Sequence, residues 1–268
     1  MGYEHYHELL ITQDGTILTI SLNNPPMNPI GGERHRELST IFRDINRDPT
    51  VHVVILTASG DAFSAGGDVK KMARRLEEQD YESWIEVVEI ARDLIYALVE
   101  CEKPVIARVN GDCLGLGATL CLMSDLSVMV DDAVIGDPHV RIGLVPGDGA
   151  ALIWPQQIGY ARAKEYLLTG DFIPATKAAE MGLINYAVPR AELDAKVDEL
   201  AQKIARHPAP ATSGTKMAIN SALRRHFDGL VDANLGFETQ SFLTAEHRER
   251  LFALRDRQTK RTGVAEPE

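Results

Sequence analysis

The stretch Cys113-Leu114-Gly115-Leu116-Gly117-Ala118-Thr119-Leu120-Cys121-Leu122 decides how this chain of 268 residues is read. A strand-like run, Pro104 to Val109, and a turn at Asn110-Gly111 precede it. Its glycines permit an irregular backbone, and Ala118 to Met123 then reads as a buried helix. A strand, a glycine turn and a helix start together aim free backbone N–H groups at one point. Such a point holds an anion, either a phosphate or a developing oxyanion. Taken alone, the stretch is equally served by glycines that only let a helix pack close to a strand.

Working outward, a second stretch has the same build. Ala62-Phe63-Ser64-Ala65-Gly66-Gly67-Asp68-Val69-Lys70-Lys71-Met72 follows an apolar strand, Val51 to Ala58, and sets glycines before a helix start. Asp68 suits the positive end of that helix dipole. Upstream, Leu9 to Thr12 and Thr16 to Leu22 flank Asp14-Gly15 and predict a β-hairpin. Asn23 to Pro29 holds three prolines and must be a loop. Glu33 to Asn46 carries Leu38, Ile41, Phe42 and Ile45 at helical spacing.

Downstream, Tyr81 to Glu100 predicts a longer helix whose stripe of Trp84, Val87, Val88, Ala91, Leu94 and Ile95 reads as core. Leu126 to Val130 and Ala133 to Ile135 are further short strands. From Gly147 onward the pattern is mostly helical. Ala161 to Leu168 stops at Gly170, and Ala175 to Met181 closes at Gly182. Helical runs over Ala191–Arg206, Ala211–Arg225, Leu230–Leu243 and Ala245–Arg257 follow. The polar tail from Thr262 to Glu268 is expected to fray.

Average apolar and charged fractions suit one medium-sized domain with a substantial core. A formal net charge of −11 argues against a nucleic-acid partner held on a basic surface. Cys101, Cys113 and Cys121 show neither a pairing pattern nor metal-ligand spacing, so reduced buried thiols are expected and no metal site. No apolar run reaches membrane-spanning length and no signal peptide is evident. A soluble cytoplasmic protein, with neither nucleic acid nor membrane as partner, is the expectation.

The two glycine stretches together resemble the signature of the crotonase, or enoyl-CoA hydratase/isomerase, superfamily. The first follows the pattern A-F-x-A-G-x-D-[IVL]-x-x-M and the second N-G-x-x-x-G-x-G. The resemblance continues through Gly136-Asp137-Pro138-His139, Gly143-Leu144-Val145-Pro146-Gly147 and Ala161-Arg162-Ala163-Lys164-Glu165-Tyr166-Leu167-Leu168-Thr169-Gly170, in the right order along nearly the whole chain. It implies an α/β fold: a spiral of repeated ββα units over residues 1–200, with a helical C-terminal trimerisation region over 201–268. It also implies a homotrimer or a dimer of trimers, an acyl-CoA substrate, and no cofactor beyond the coenzyme A that the substrate carries.

In such enzymes two backbone N–H groups polarise a thioester carbonyl and hold its enolate, and the motifs place these donors at Gly67 and Leu116. By the same resemblance the loop with Met27 and Asn28, together with Ser64, Ala65 and Gly67, frames the coenzyme A. Asp68, Lys70 and Gly115 are further binding candidates. Lys70 and Lys71 would meet phosphates, unless they only solvate a helix face.

The proton-transfer residues depart from the pattern. Where enoyl-CoA hydratases carry two glutamates, this chain has Thr119 and His139. A threonine hydroxyl orients water or caps a helix, but it is no general base near neutral pH. An imidazole titrates near pH ~6.5 and serves as acid or base. Asp148, nine positions on, would orient it if Arg141 to Val145 turns back; otherwise Asp148 caps the following helix. A β-diketone hydrolase branch of the family uses a histidine and an aspartate at similar positions, and a C-terminal glutamate for which Glu238 is the candidate. A further active-site histidine of that branch has no counterpart near Leu116. His5, His7, His35 and His52 sit in polar contexts and receive no role, and His226 and His247 read as helix-surface residues.

Three functions follow. The first is enolate chemistry on an acyl-CoA or enoyl-CoA thioester, as a hydratase or isomerase. The second is hydrolytic C–C cleavage of a β-diketone by a His139–Asp148 pair. The third is a catalytically silent CoA-binding subunit.

Overall fold

The computed structural model describes residues 2–262. Strands β1 (Leu9–Asp14) and β2 (Ile17–Leu22) form the expected antiparallel hairpin. After the proline loop come α1 (Glu33–Asn46) and β3 (Val53–Ala58), every residue of which is buried. That continuous apolar run marks an inner parallel strand. Then follow α2 (Val69–Glu78), α3 (Tyr81–Val99), β4 (Val105–Val109), β5 (Cys113–Leu114) and α4 (Leu116–Met123). All eight residues of α4 are buried, which an all-apolar helix requires.

The chain continues through β6 (Leu126–Val130), β7 (Val134–Gly136) and a 3₁₀ turn over His139–Ile142. It goes on to α5 (Ala150–Thr169), β8 (Ile173–Pro174), α6 (Ala175–Glu180) and β9 (Tyr186–Val188). The helices α7 (Leu193–Ala205), α8 (Ala209–Asp228), α9 (Val231–Phe242) and α10 (Ala245–Thr262) complete it. Gly159, at φ 76° and ψ 159°, breaks α5 into two helical stretches. The tail read from Thr262 onward lies, past that residue, outside the described residues.

One sheet has the order β1-β2-β3-β4-β6-β9 and is parallel from β2 onward. A smaller sheet, β5-β7-β8, stands apart from it. The turns through β4-β5 and β6-β7 each add one strand to each sheet, and the helices lie between successive strands of the larger one, the architecture of the crotonase spiral. The division expected at residue 200 falls inside α7, whose buried Leu193, Val197, Leu200 and Ala201 join the main core. The helices after it do not stand alone. α9 packs on α3, and α10 packs on α2 and on the 3₁₀ turn. Cys101, Cys113 and Cys121 are buried free thiols. No helix among the described residues is long and apolar enough to cross a membrane.

Candidate active site

The two glycine loops run side by side. Ser64 and Cys113 bridge them, and the Leu114 N–H donates to Ser64 O at 2.8 Å. Gly66 sits at φ 86°, where a Cβ would lie 2.8 Å from the Leu114 carbonyl oxygen. Only glycine lets the loops approach this closely. The approach sets Gly67 next to the first residue of α4, Leu116, and both line one cavity. Among the described residues neither the Gly67 nor the Leu116 N–H donates to a backbone carbonyl. Leu116 begins α4, so its amide is one of the helix's orphan donors.

Opposite these amides stand the titratable groups. The segment Asp137-Pro138-His139 folds so that Asp137 Oδ1 accepts the His139 backbone N–H at 3.0 Å and lies 2.6 Å from its ring Nδ1. His139 Nε2 is 3.6 Å from Asp148 Oδ2, within reach of an ion pair but long for a hydrogen bond. The chain turns back over Ile142 to Pro146 because Gly147 packs directly on α9. A Cβ there would fall 2.4 Å from Asn234 O and 2.8 Å from the Glu238 Cβ. This contact brings Asp148 and Glu238 to the same cavity wall. Asp148 does not cap α5; Gly149 occupies the cap position, without a side-chain hydrogen bond.

The electrostatics differ from those of a free imidazole. Burial would push the His139 pKa down, but Asp137, Asp148 and Glu238 hold it up at about 10. At neutral pH the ring is therefore an imidazolium, a proton donor. Burial, against the opposing pull of His139, raises Asp148 to about 6. Burial and the Asp148 charge raise Glu238 well above the usual carboxylate range. One imidazolium among three carboxyl groups thus leaves Asp148 as the acceptor poised near neutrality, with Glu238 holding its proton more tightly than a free carboxyl. Asp137, His139 and Asp148 each offer a donor atom within 4.8 Å of the others, a spacing that would also suit a small cation.

Thr119 is buried behind this wall. A Cβ at Gly149 would lie 2.5 Å from its Cγ2, its Oγ1 has no hydrogen-bond partner among the described residues, and it does not border the cavity. The coenzyme A candidates divide similarly. Asn28 and Ser64 are fully buried, and both side chains are committed to the loop. Asn28 Nδ2 donates to Ser59 O and Ala62 O, and Ser64 Oγ donates to Asn28 O. Asp68 caps α2, accepting from the Lys70 and Lys71 N–H groups. Lys70 and Met27 are exposed, whereas Ala65 is half-buried and Gly115 buried. Gly67, Asp68 and Lys71 border the cavity, and Lys70 does not.

The structure gives several residues a different place from the one their sequence suggests. Asp137, the close partner of the imidazole, was passed over, although an aspartate two residues before a histidine is a local turn signal. His35 is 5% exposed and lines the cavity, with its pKa lowered to about 4 by burial and by Arg75 and Arg36. His247 is fully buried, its Nδ1 2.7 Å from Ile142 O, because α10 packs its histidine face on the 3₁₀ turn. Trp84, Val87, Val88 and Ala91, read as core alone, also form the apolar wall of the cavity. Trp84 is held there by stacking on Phe242 at 3.7 Å and by donating to Thr239 Oγ1. Between these walls the cavity holds about 60 Å³ of space.

The family model for enoyl-CoA hydratase/isomerase matches residues 12–260. The chain is similar to a crystal structure of an enoyl-CoA hydratase/isomerase from Mycobacterium paratuberculosis, at 34% identity and a TM-score of 0.87, over 92% of this chain and 98% of that one. It is 29% identical to the short-chain-enoyl-CoA hydratase of Clostridium acetobutylicum over 88% of each protein. A β-diketone hydrolase from the cyanobacterium Anabaena is similar at 27% identity and a TM-score of 0.80, over 92% of this chain and 96% of that one. From its two adjoining glycine loops to its helical C-terminal region, this chain belongs to the enoyl-CoA hydratase/isomerase family of the crotonase superfamily.

Proposed function

We propose that this protein acts on a coenzyme A thioester through an enolate, with His139, Asp148 and Glu238 moving the protons that two glutamates move in ordinary hydratases. The observation that carries this reading is the convergence of two unpartnered amides and one imidazolium–carboxyl cluster on a single cavity. The Gly67 and Leu116 N–H groups would hold the thioester oxygen as negative charge develops on it. Each such donor is worth roughly 100- to 1000-fold in rate.

For hydration of an enoyl thioester, the Asp148 carboxylate takes a proton from water as its oxygen bonds to the β-carbon. The enolate then collapses and its α-carbon takes a proton from Glu238 or His139. The same groups would move a proton between carbons in an isomerase. Asp137 orients the ring and keeps it protonated. Thr119, away from the cavity, takes no step. The exposed Ile219, Phe237 and Leu243 support assembly through the C-terminal helices as a trimer, which light scattering would measure.

A second reading, hydrolysis of a β-diketone, is favoured by the His139–Asp148 approach and by the likeness to the Anabaena hydrolase. Water activated at Asp148 would add to one carbonyl. The C–C bond would break, and the departing enolate would be protonated by the cluster. Calorimetric titration with coenzyme A, acetyl-CoA and crotonyl-CoA, with product analysis of the last, tests the first reading. Thioester binding with turnover that His139→Ala abolishes supports it. Turnover of a cyclic 1,3-diketone without thioester binding replaces it with the second, and binding without turnover of either class leaves a silent subunit.

A further inference from the structure

The cavity holds a second polar cluster that the proton chemistry does not use. It is formed by His35 on α1 and by one face of α2, where Asp68, Lys71, Met72 and Arg75 follow at helical spacing. The charges acting on His35 come from Arg75 and Arg36, and those acting on His139 from Asp137, Asp148 and Glu238. The two clusters share the cavity but no charged group.

The cluster lacks a negative partner. Arg75 is half-buried, and its Nε donates to Ser83 Oγ at 3.0 Å. Asp80, Asp68 and Glu86 all act on its charge from a distance, but each is engaged elsewhere. Asp80 caps α3, Asp68 caps α2, and Glu86 pairs with Arg36 at 2.8 Å. Among the described residues no carboxylate forms an ion pair with Arg75. His35 has no hydrogen-bond partner among them at either ring nitrogen, and its Nε2 is buried. A buried polar group without a partner signals a missing ligand or water.

Two further features add positive potential. The N-terminus of α1 has Gly32 at its cap and no side-chain cap, though Glu33 in its first turn partly offsets it through a pair with Arg36. Lys71 Nζ reaches toward the same turn, 3.4 Å from Gly31 O.

We propose that Arg75 and His35 bind a carboxylate at the far end of the acyl group, so that the substrate is the coenzyme A thioester of a dicarboxylic acid. This rests on the thioester reading above. Arg75 lies about 9 Å along α2 from its first residue, which adjoins the Gly67 donor. An extended acyl chain of about six to eight carbons, advancing ~1.25 Å per bond, covers that span together with its carbonyl and carboxylate oxygens. Met72, Trp84, Val87 and Val88 supply the apolar wall between its two polar ends. His35, neutral at pH 7, donates or accepts one hydrogen bond, and the guanidinium supplies the charge and the fork geometry that fits a carboxylate.

The test is calorimetric titration of adipyl-CoA against hexanoyl-CoA, and of suberyl-CoA against octanoyl-CoA, with the wild type, Arg75→Gln and Arg75→Lys. The wild type should prefer the carboxylated partner of a pair by about 10-fold or more. Arg75→Gln should lose that preference while still binding the neutral thioester, and Arg75→Lys should keep part of it. Neutral thioesters bound as tightly as their carboxylated partners by the wild type would overturn the proposal and leave the thioester reading intact. Equal weakening of both partners by Arg75→Gln would overturn it too, by pointing to a coenzyme A phosphate at Arg75. Failure of every thioester to bind would remove both readings together.

Discussion

The two halves of the reacting site are built in opposite ways. In the proposed reaction the donor half is made of backbone: Gly67 and Leu116 would contribute amides, and their side chains are incidental. The proton-transfer half is made of side chains from three separate places, the 3₁₀ turn, the loop before α5, and α9. Backbone geometry depends on glycines that let loops approach, so it tolerates a leucine at the second donor. Side-chain chemistry tolerates no such exchange. A threonine and a histidine in place of two glutamates would require a new proton path, and in the proposed reaction Asp148 and Glu238, whose charges with that of Asp137 act on the histidine, supply it. On this reading the fold keeps its backbone donors while the groups facing them are replaced.

This contrast is open to direct attack. The largest expected effect is at His139. His139→Ala should lower kcat by about 100- to 10,000-fold without loss of thioester binding, measured by steady-state kinetics and titration. Next, Gly66→Ala forces a side chain into a left-handed position and against Leu114 O, and so moves the donors apart. A loss of roughly 100-fold or more in kcat is expected, with a lowered melting temperature. Wild-type activity in that variant would mean that the donors lie elsewhere.

The pH profile sharpens the other half. Asp148 must be ionised to accept a proton, so the rate should fall as pH drops through about 6. His139 must be protonated to donate, so it should fall again as pH rises through about 10. A single limb near 6.5 would mean an isolated imidazole. Asp148→Asn should remove the acidic limb along with most of the rate. The smallest effects belong to side chains that the scheme leaves idle. Leu116→Ala and Thr119→Val should each change kcat by less than about 10-fold, because one contributes only its amide and the other stands behind the wall.

How far the site was legible follows the same division. The glycine loops were readable because φ constraints and close approach leave a mark at fixed spacing. The helix over Glu33–Asn46 was readable to the residue because its apolar period is regular. Asp148 could be named only on the condition that Arg141 to Val145 turns back, and Glu238 only through the family resemblance, since nothing local ties residue 148 to residue 238. Their meeting depends on Gly147 packing against α9. His35 misled because its neighbours in sequence are polar, yet α1 turns that one ring inward toward α2. His247 misled for the same reason, on a helix whose other residues are mostly polar.

Sequence alone determined the hairpin, the two glycine loops and the absence of the two usual glutamates, because each is written in local spacing or residue type, and the order of the motifs carried the resemblance that implied the spiral fold. Tertiary structure decided the rest. It set the imidazole between Asp137 and Asp148 and raised its pKa by surrounding it with buried carboxyl groups. Among the described residues it also left His35 without a hydrogen-bond partner and Arg75 without a carboxylate on the same cavity. Charge and burial at these points are sums over elements far apart in the chain, and no stretch of sequence contains them.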